Sequence, residues 1–187
     1  MTHPLHVFIV ANPMISLVAY EFIAEKELPT ENILFVFVRG QQYKMFRDIN
    51  SVLIRRTFLN KVGKRLPFLI PTHPISVRKH IESYRRDFVM YSSWLDEVCT
   101  AVLSSGQCVG HSYIEEGDQA YKLLPLFPSA SSYKRTQKNE ANKRRYTEYW
   151  RDDAREWIGL SAKSFPTAPK DRRFVLKGLM KTKEKYE

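Results

Sequence analysis

Only two cysteines, Cys99 and Cys108, occur in the 187 residues, and that scarcity excludes a disulfide framework. The pair forms no metal-binding motif, and no metal is expected. Cys99 falls in a helix-like run and Cys108 in an apolar strand; both read as small core residues in a reducing, cytoplasmic setting. Glycine is scarce as well, at seven residues. No Gly-x-Gly-x-x-Gly follows the first apolar run, which argues against a dinucleotide-binding half, and no glycine loop ending in Lys-Ser/Thr cradles a phosphate. Long apolar stretches are also missing. Leu5 to Ile23 comes nearest, but Asn12-Pro13 interrupts it and Glu21 sits inside it. With no basic region before it and no small-residue cleavage site, it is neither a signal peptide nor a membrane span.

What is present is a globular composition, 43% hydrophobic and 13% aromatic, in a length that suits one domain. The net charge of +10 is uneven: residues 1–133 hold 14 Lys/Arg against 12 Asp/Glu, and residues 134–187 hold 16 against 8. The basic character therefore belongs to the tail. Such a tail suits nucleic acid, anionic lipid at the inner membrane or an anionic substrate, and charge alone does not choose among them. Nucleic acid fits least, because the core carries almost no excess charge.

Short buried runs recur along the chain. Residues 6–11 and 33–38 are continuous apolar stretches with β-branched and aromatic members, as in strands covered on both faces. Residues 66–70, 88–91 and 107–114 read as three more. Helical spacing is expected over 14–26, 43–60, 75–86 and 94–103, the last with Ser93 as N-cap. Pro13 suits the first turn of its helix, where the missing N–H costs nothing. Strand and helix alternate about every 25 to 30 residues, the pattern of a doubly wound parallel sheet of about five strands. From Pro125 the character changes. Residues 125–187 read as a linker and a basic, largely helical extension with aromatic anchors at Tyr149-Trp150 and Trp157-Ile158, and one short strand near 173–176. The division expected is a Rossmann-like domain over 1–124 and the remnant start of a second over 125–187.

The stretch of most interest is Gln107 to Tyr121, where an apolar strand ends in Glu115-Glu116-Gly117. Adjacent side chains on a strand point to opposite faces, so one acid can enter a crevice while the other turns away or caps a helix. The tripeptide taken alone reads rather as a solvated strand-to-helix turn with glycine at positive φ. Asn12-Pro13, Ser92-Ser93-Trp94 and Glu115-Glu116-Gly117 all fall at the carboxyl ends of expected parallel strands, the rim where such sheets bind ligands. An amide, two hydroxyls, an indole and a carboxylate together suit a sugar. His111, inside the strand, reads as a core histidine, and His73-Pro74 as a turn former.

The opening His6-Val7-Phe8-Ile9-Val10-Ala11-Asn12-Pro13-Met14-Ile15-Ser16-Leu17-Val18-Ala19-Tyr20-Glu21-Phe22-Ile23 resembles that of bacterial sialyltransferase and polysialyltransferase-like proteins. Tyr113-Ile114-Glu115-Glu116-Gly117 resembles their acidic-acidic-glycine motif. The resemblance spans residues 5–122 and implies one half of a GT-B fold, in which two Rossmann-like domains face each other and a sugar passes from a CMP-activated donor, without a metal or other cofactor, to a glycan acceptor. It implies Glu116 as general base, with Asn12, Pro13, Ser92, Ser93, Glu115 and Gly117 around the substrate. The family's His-Pro motif follows its acidic motif, whereas His3-Pro4 and His73-Pro74 precede it here. The donor-binding half is thus largely absent, which implies a truncated product, a partner half supplied elsewhere, or a chain that no longer catalyses, and in each case inactivity alone. The other reading is a non-catalytic glycan- or protein-binding module.

Overall fold

The computed structural model describes residues 3–38, 49–54, 73–127 and 150–177. Among the described residues nine strands alternate in part with three α-helices: β1 (Leu5–Val10), α1 (Pro13–Glu25), β2 (Ile33–Phe37), β3 (Ser51–Leu53), α2 (His73–Glu82), β4 (Phe88–Ser92), α3 (Glu97–Leu103), β5 (Cys108–Ile114), β6 (Leu126–Phe127), β7 (Trp150–Arg151), β8 (Trp157–Gly159) and β9 (Arg173–Val175). Seven strands form one open sheet in the order β3-β2-β1-β4-β5-β8-β9, and every pairing in it is parallel. β6 and β7 pair separately.

The expected α/β architecture is therefore present, and its two-sided burial follows from strand composition. Along β1, Leu5, Val7 and Ile9 pack with Val77 and Ile81 of α2 and with Val98 and Val102 of α3, while Phe8 and Val10 pack with Ile15, Val18 and Phe22 of α1. Period-two alternation sends successive apolar residues to opposite layers, which is why these strands read as unbroken hydrophobic runs. The order reverses between β1 and β4, placing the crevice of a doubly wound sheet at their carboxyl ends.

Several expectations change. Residues 51–53, expected within a helix, pair in parallel with Phe35–Phe37 as β3; a short apolar run cannot be assigned to helix or strand by periodicity alone. The expected strand at 66–70 lies outside the described residues. The N-cap of α3 is Asp96, not Ser93: its carboxylate accepts the N–H groups of Val98 and Cys99, both at 2.9 Å. The sheet has seven described strands against about five expected: four of those five, β3, and two from the tail.

Part of the segment expected as a linker and helical extension belongs to the sheet. β8 pairs with β5 through Tyr113 and Ile114, and β9 adds the outer edge. Trp150, Trp157 and Phe165 are buried, and the Trp150 ring meets Tyr113 at 4.7 Å and Phe165 at 5.3 Å. On the opposite face Phe174 stands edge-on to Phe22 of α1 at 5.4 Å, and Lys26 bridges to Glu156 at 2.7 Å. The sheet thus runs across the boundary expected after Leu124. Among the described residues, 150–177 contain no α-helix, only a 3-10 turn at Lys170–Arg172, so the basic helical extension is not seen there. No helix among the described residues is long and apolar enough to cross a membrane.

Candidate functional site

Because the seven strands are parallel, the exits of β1, β4 and β5 share one rim, and the site is built there. β1 ends before Asn12, whose extended backbone (φ −152°, ψ 168°) makes it the N-cap of α1. Its Oδ1 accepts the Ile15 N–H at 3.1 Å, and Pro13 occupies the first helical turn, exposed. The other end of the same amide points across the rim: Asn12 Nδ2 donates to Glu116 Oε2 at 3.1 Å. Asn12 and Glu116, 104 positions apart in sequence, are thereby brought together, with Glu116 half-buried.

The neighbouring acid goes the other way, as strand alternation requires. Glu115 is 2% exposed, and its Oε2 accepts the Leu160 N–H at 2.7 Å and the Ser164 hydroxyl at 2.6 Å. The half-exposed Tyr121 also hydrogen-bonds to Glu115, a contact that raises the phenol's pKa. This corrects the expectation of Glu115 as a substrate contact: its carboxylate is desolvated and held by protein donors. Gly117 has φ +125° and ψ −140°, a region closed to other residues, and turns the chain into the 3-10 helix Asp118–Tyr121. The turn reading of that glycine is therefore correct for its backbone.

Ser92 and Ser93 are less available than expected. Ser92 is 1% exposed, with its hydroxyl beside the Cys99 thiol, and Ser93 is buried too. Burial, reinforced by Asp96, holds the Cys99 thiol well above the usual range despite that hydroxyl, which makes it an inert core group. Ser92 faces the α2–α3 layer because it shares the parity of Phe88 and Met90, which pack there.

His111 is a core histidine without the satisfied hydrogen bonds such residues usually have. It is 2% exposed, stands edge-on to Tyr113 at 5.2 Å and leaves Nε2 without a partner among the described residues. Above it Arg151 forks onto Asp153, with Nε donating to Oδ1 at 2.8 Å and Nη2 to Oδ2, while the Arg151 N–H donates to the Tyr113 hydroxyl at 3.0 Å. Burial, with Arg151 adding and Asp153 opposing, lowers the His111 pKa from 6.5 to about 4, so the ring is neutral near pH 7.

The arginines of 150–177 are largely spent inside the molecule. Arg155 donates to the Val109 carbonyl at 2.7 Å, Arg172 to Asp152 at 2.9 Å, and Arg173 to Pro166 and Ala168, both at 2.7 Å. These guanidinium groups therefore work as chain pins, while Lys163, Lys170 and Lys177 stay exposed. Among the described residues no group of three or more His, Cys, Asp or Glu gathers to hold a metal.

The residues that sequence reasoning missed are Leu160 and Ser164, the partners of Glu115. The legible signal was Trp157-Ile158-Gly159, a buried pair followed by glycine, the same punctuation that ends β5. No family model, curated protein or solved structure matches this chain.

Proposed function

We propose that this chain is the acceptor-side, Rossmann-like half of a sialyltransferase-like glycosyltransferase and that it is inactive without a donor-binding half. The observation that carries the reading is the Asn12–Glu116 pair at the rim, 3.1 Å apart beside the sheet's switch point, with Glu116 half-buried while Glu115 is fully withdrawn. Glu116 acts as general base. It takes the proton of an acceptor hydroxyl as that oxygen bonds to the anomeric carbon of a CMP-sugar, and the bond from that carbon to the CMP phosphate oxygen breaks. Asn12 orients the carboxylate, and the complementing half positions the donor and serves the departing CMP. A base contributes roughly 10²- to 10⁴-fold, too little to replace absent donor positioning. Contact with anionic inner-membrane lipid, on this reading, falls to the basic tail.

A second reading, a glycan- or protein-binding module without turnover, is favoured by the double use of Asn12. Its amide caps α1 with one end and holds Glu116 with the other, an arrangement that suits a rim built for rigidity.

The deciding experiment is a labelled CMP-sugar transfer assay on the isolated chain, on the chain complemented by a donor-binding half, and on Glu116→Gln and Glu115→Gln. The expected result is no transfer by the isolated chain, transfer by the pair, and its near-abolition by Glu116→Gln. Saturation-transfer NMR with glycan acceptors should show binding that survives Glu116→Gln. Robust turnover by the isolated chain, or a complemented pair indifferent to Glu116→Gln, would overturn the enzyme reading. Acceptor binding without transfer in any combination would favour the module.

A further inference from the structure

Adjacent acids at a strand end point in opposite directions, but that rule does not say which acid faces which layer once the ladder stops. Here the choice is made from outside β5. Ladder bonds continue to the acidic pair, since the Glu115 N–H donates to the Ile158 carbonyl at 2.9 Å. Directly after β8, the chain supplies two donors to the Glu115 carboxylate: the Leu160 N–H and the Ser164 hydroxyl.

That approach depends on Gly159. A Cβ there would lie 2.4 Å from Ser164 Cβ, 2.7 Å from Ser164 Oγ and 3.3 Å from Glu115 Oε2. Any larger residue would push the serine off the carboxylate. Ser164 is itself fixed: it is 3% exposed, its N–H donates to the Ser161 carbonyl at 3.0 Å, and its hydroxyl accepts the Ser161 N–H at 3.2 Å. A buried carboxylate is tolerated only while donors replace its water, so these contacts are conditions for Glu115 staying where it is.

We propose that Ser164, with Gly159 and Leu160, positions the rim acid: the three clamp Glu115 on one layer and so hold Glu116 toward Asn12 on the other. The proposal rests on the reading of Glu116 as general base. Ser164 lies 48 positions beyond Glu116 and touches no substrate; it acts through Glu115 and the end of β5. The arm over 157–165 thus belongs to the site as well as to the sheet, and a chain shortened before it would keep both acids but lose their orientation.

The test reads the Asn12 side-chain amide by NMR, in a protein whose folding is followed separately by circular dichroism. In Ser164→Ala the Nδ2 protons should exchange with solvent about fivefold to tenfold faster, the factor that one net hydrogen bond supports. Ser164→Thr, which keeps the hydroxyl, should restore slow exchange. A merely structural serine would lower the melting temperature and leave that amide unchanged. In the complemented enzyme Ser164→Ala should lower kcat by about 10- to 100-fold with little change in KM, because misdirecting a positioned base costs rate rather than binding. A folded Ser164→Ala with wild-type Asn12 exchange overturns the clamp. Should Ser164→Ala fail to fold, Glu115→Gln replaces it, and an unchanged Asn12 amide there overturns the clamp equally. Faster exchange in Ser164→Ala alongside transfer indifferent to Glu116→Gln supports the clamp and removes the base.

Discussion

Lowering the pH should loosen this fold through His111 well before its carboxylates protonate. The ring is 2% exposed, its Nε2 has no partner among the described residues, and its pKa in the folded chain is about 4 against 6.5 for a free imidazole. Burial is the main cause; the Arg151 guanidinium adds to it and Asp153 opposes. A lowered histidine pKa means that the unfolded chain binds the extra proton first. Its contribution is therefore intact above pH 6.5 and is lost progressively as pH falls toward about 4. The difference of about 2.5 units corresponds to about 3 kcal/mol at 1.36 kcal/mol per unit, of which about 2 kcal/mol is gone by pH 5. Against a typical stability of about 5–15 kcal/mol, that is a large fraction.

Asp153 does not blur this window. Burial alone would raise its pKa, but the hydrogen bonds and charge of Arg151 outweigh it and the net shift is downward from 3.8, so its own loss of stability lies at lower pH. Burial also lowers the His6 pKa, so this second histidine destabilises the fold in the same direction as pH falls. The assay is urea unfolding, followed by far-UV circular dichroism, at pH values from 7.5 to 4.5 in wild type and in His111→Phe, with m-values compared to confirm the same transition. Wild type should lose stability steeply over this range, and His111→Phe should keep only the shallower slope left by His6. Parallel curves for the two proteins would refute the reasoning, as would a direct NMR titration placing His111 near 6.5.

Asn12→Ala removes both the cap of α1 and the Glu116 contact and should cost about 1–2 kcal/mol in chemical denaturation. Asn12→Asp keeps the cap but sets a second carboxylate against Glu116, so its deficit should grow as pH rises through the carboxylate range; a pH-independent deficit would contradict the contact. Gly117→Val forces a branched residue into φ +125°, ψ −140° and should destabilise by about 1–3 kcal/mol, read as a fall in the thermal midpoint. A chain ending at Leu124 loses β8, β9 and the cover over Tyr113 and Ile114, and should lack a cooperative melt; a sharp transition near the wild-type temperature would show that the arm is dispensable.

The sequence by itself determined the alternating layers, because β1, β2, β4 and the second half of β5 are long enough and apolar enough on both faces to be read one at a time. It also determined the rim: parallel strands put their exits together, so Asn12 and Glu115-Glu116 had to share an edge, and strand alternation had to separate the two acids. Gly117 was readable as a turn for the same local reason, its freedom at positive φ. What lay beyond the sequence was everything decided by a partner distant in the chain. β3 and β8 have three residues each, too few to show a period, and become strands only because Phe35–Phe37 and Tyr113-Ile114 offer unpaired edges, whereas β9 falls where a short strand was expected near 173–176. Arg155, Arg172 and Arg173 read in the sequence as free charges, yet carbonyls 5 to 46 positions away hold their guanidinium groups. Which acid would be withdrawn was set by Ser164 and Leu160, 49 and 45 positions from Glu115, since only packing brings a hydroxyl and an N–H to a carboxylate that has lost its water.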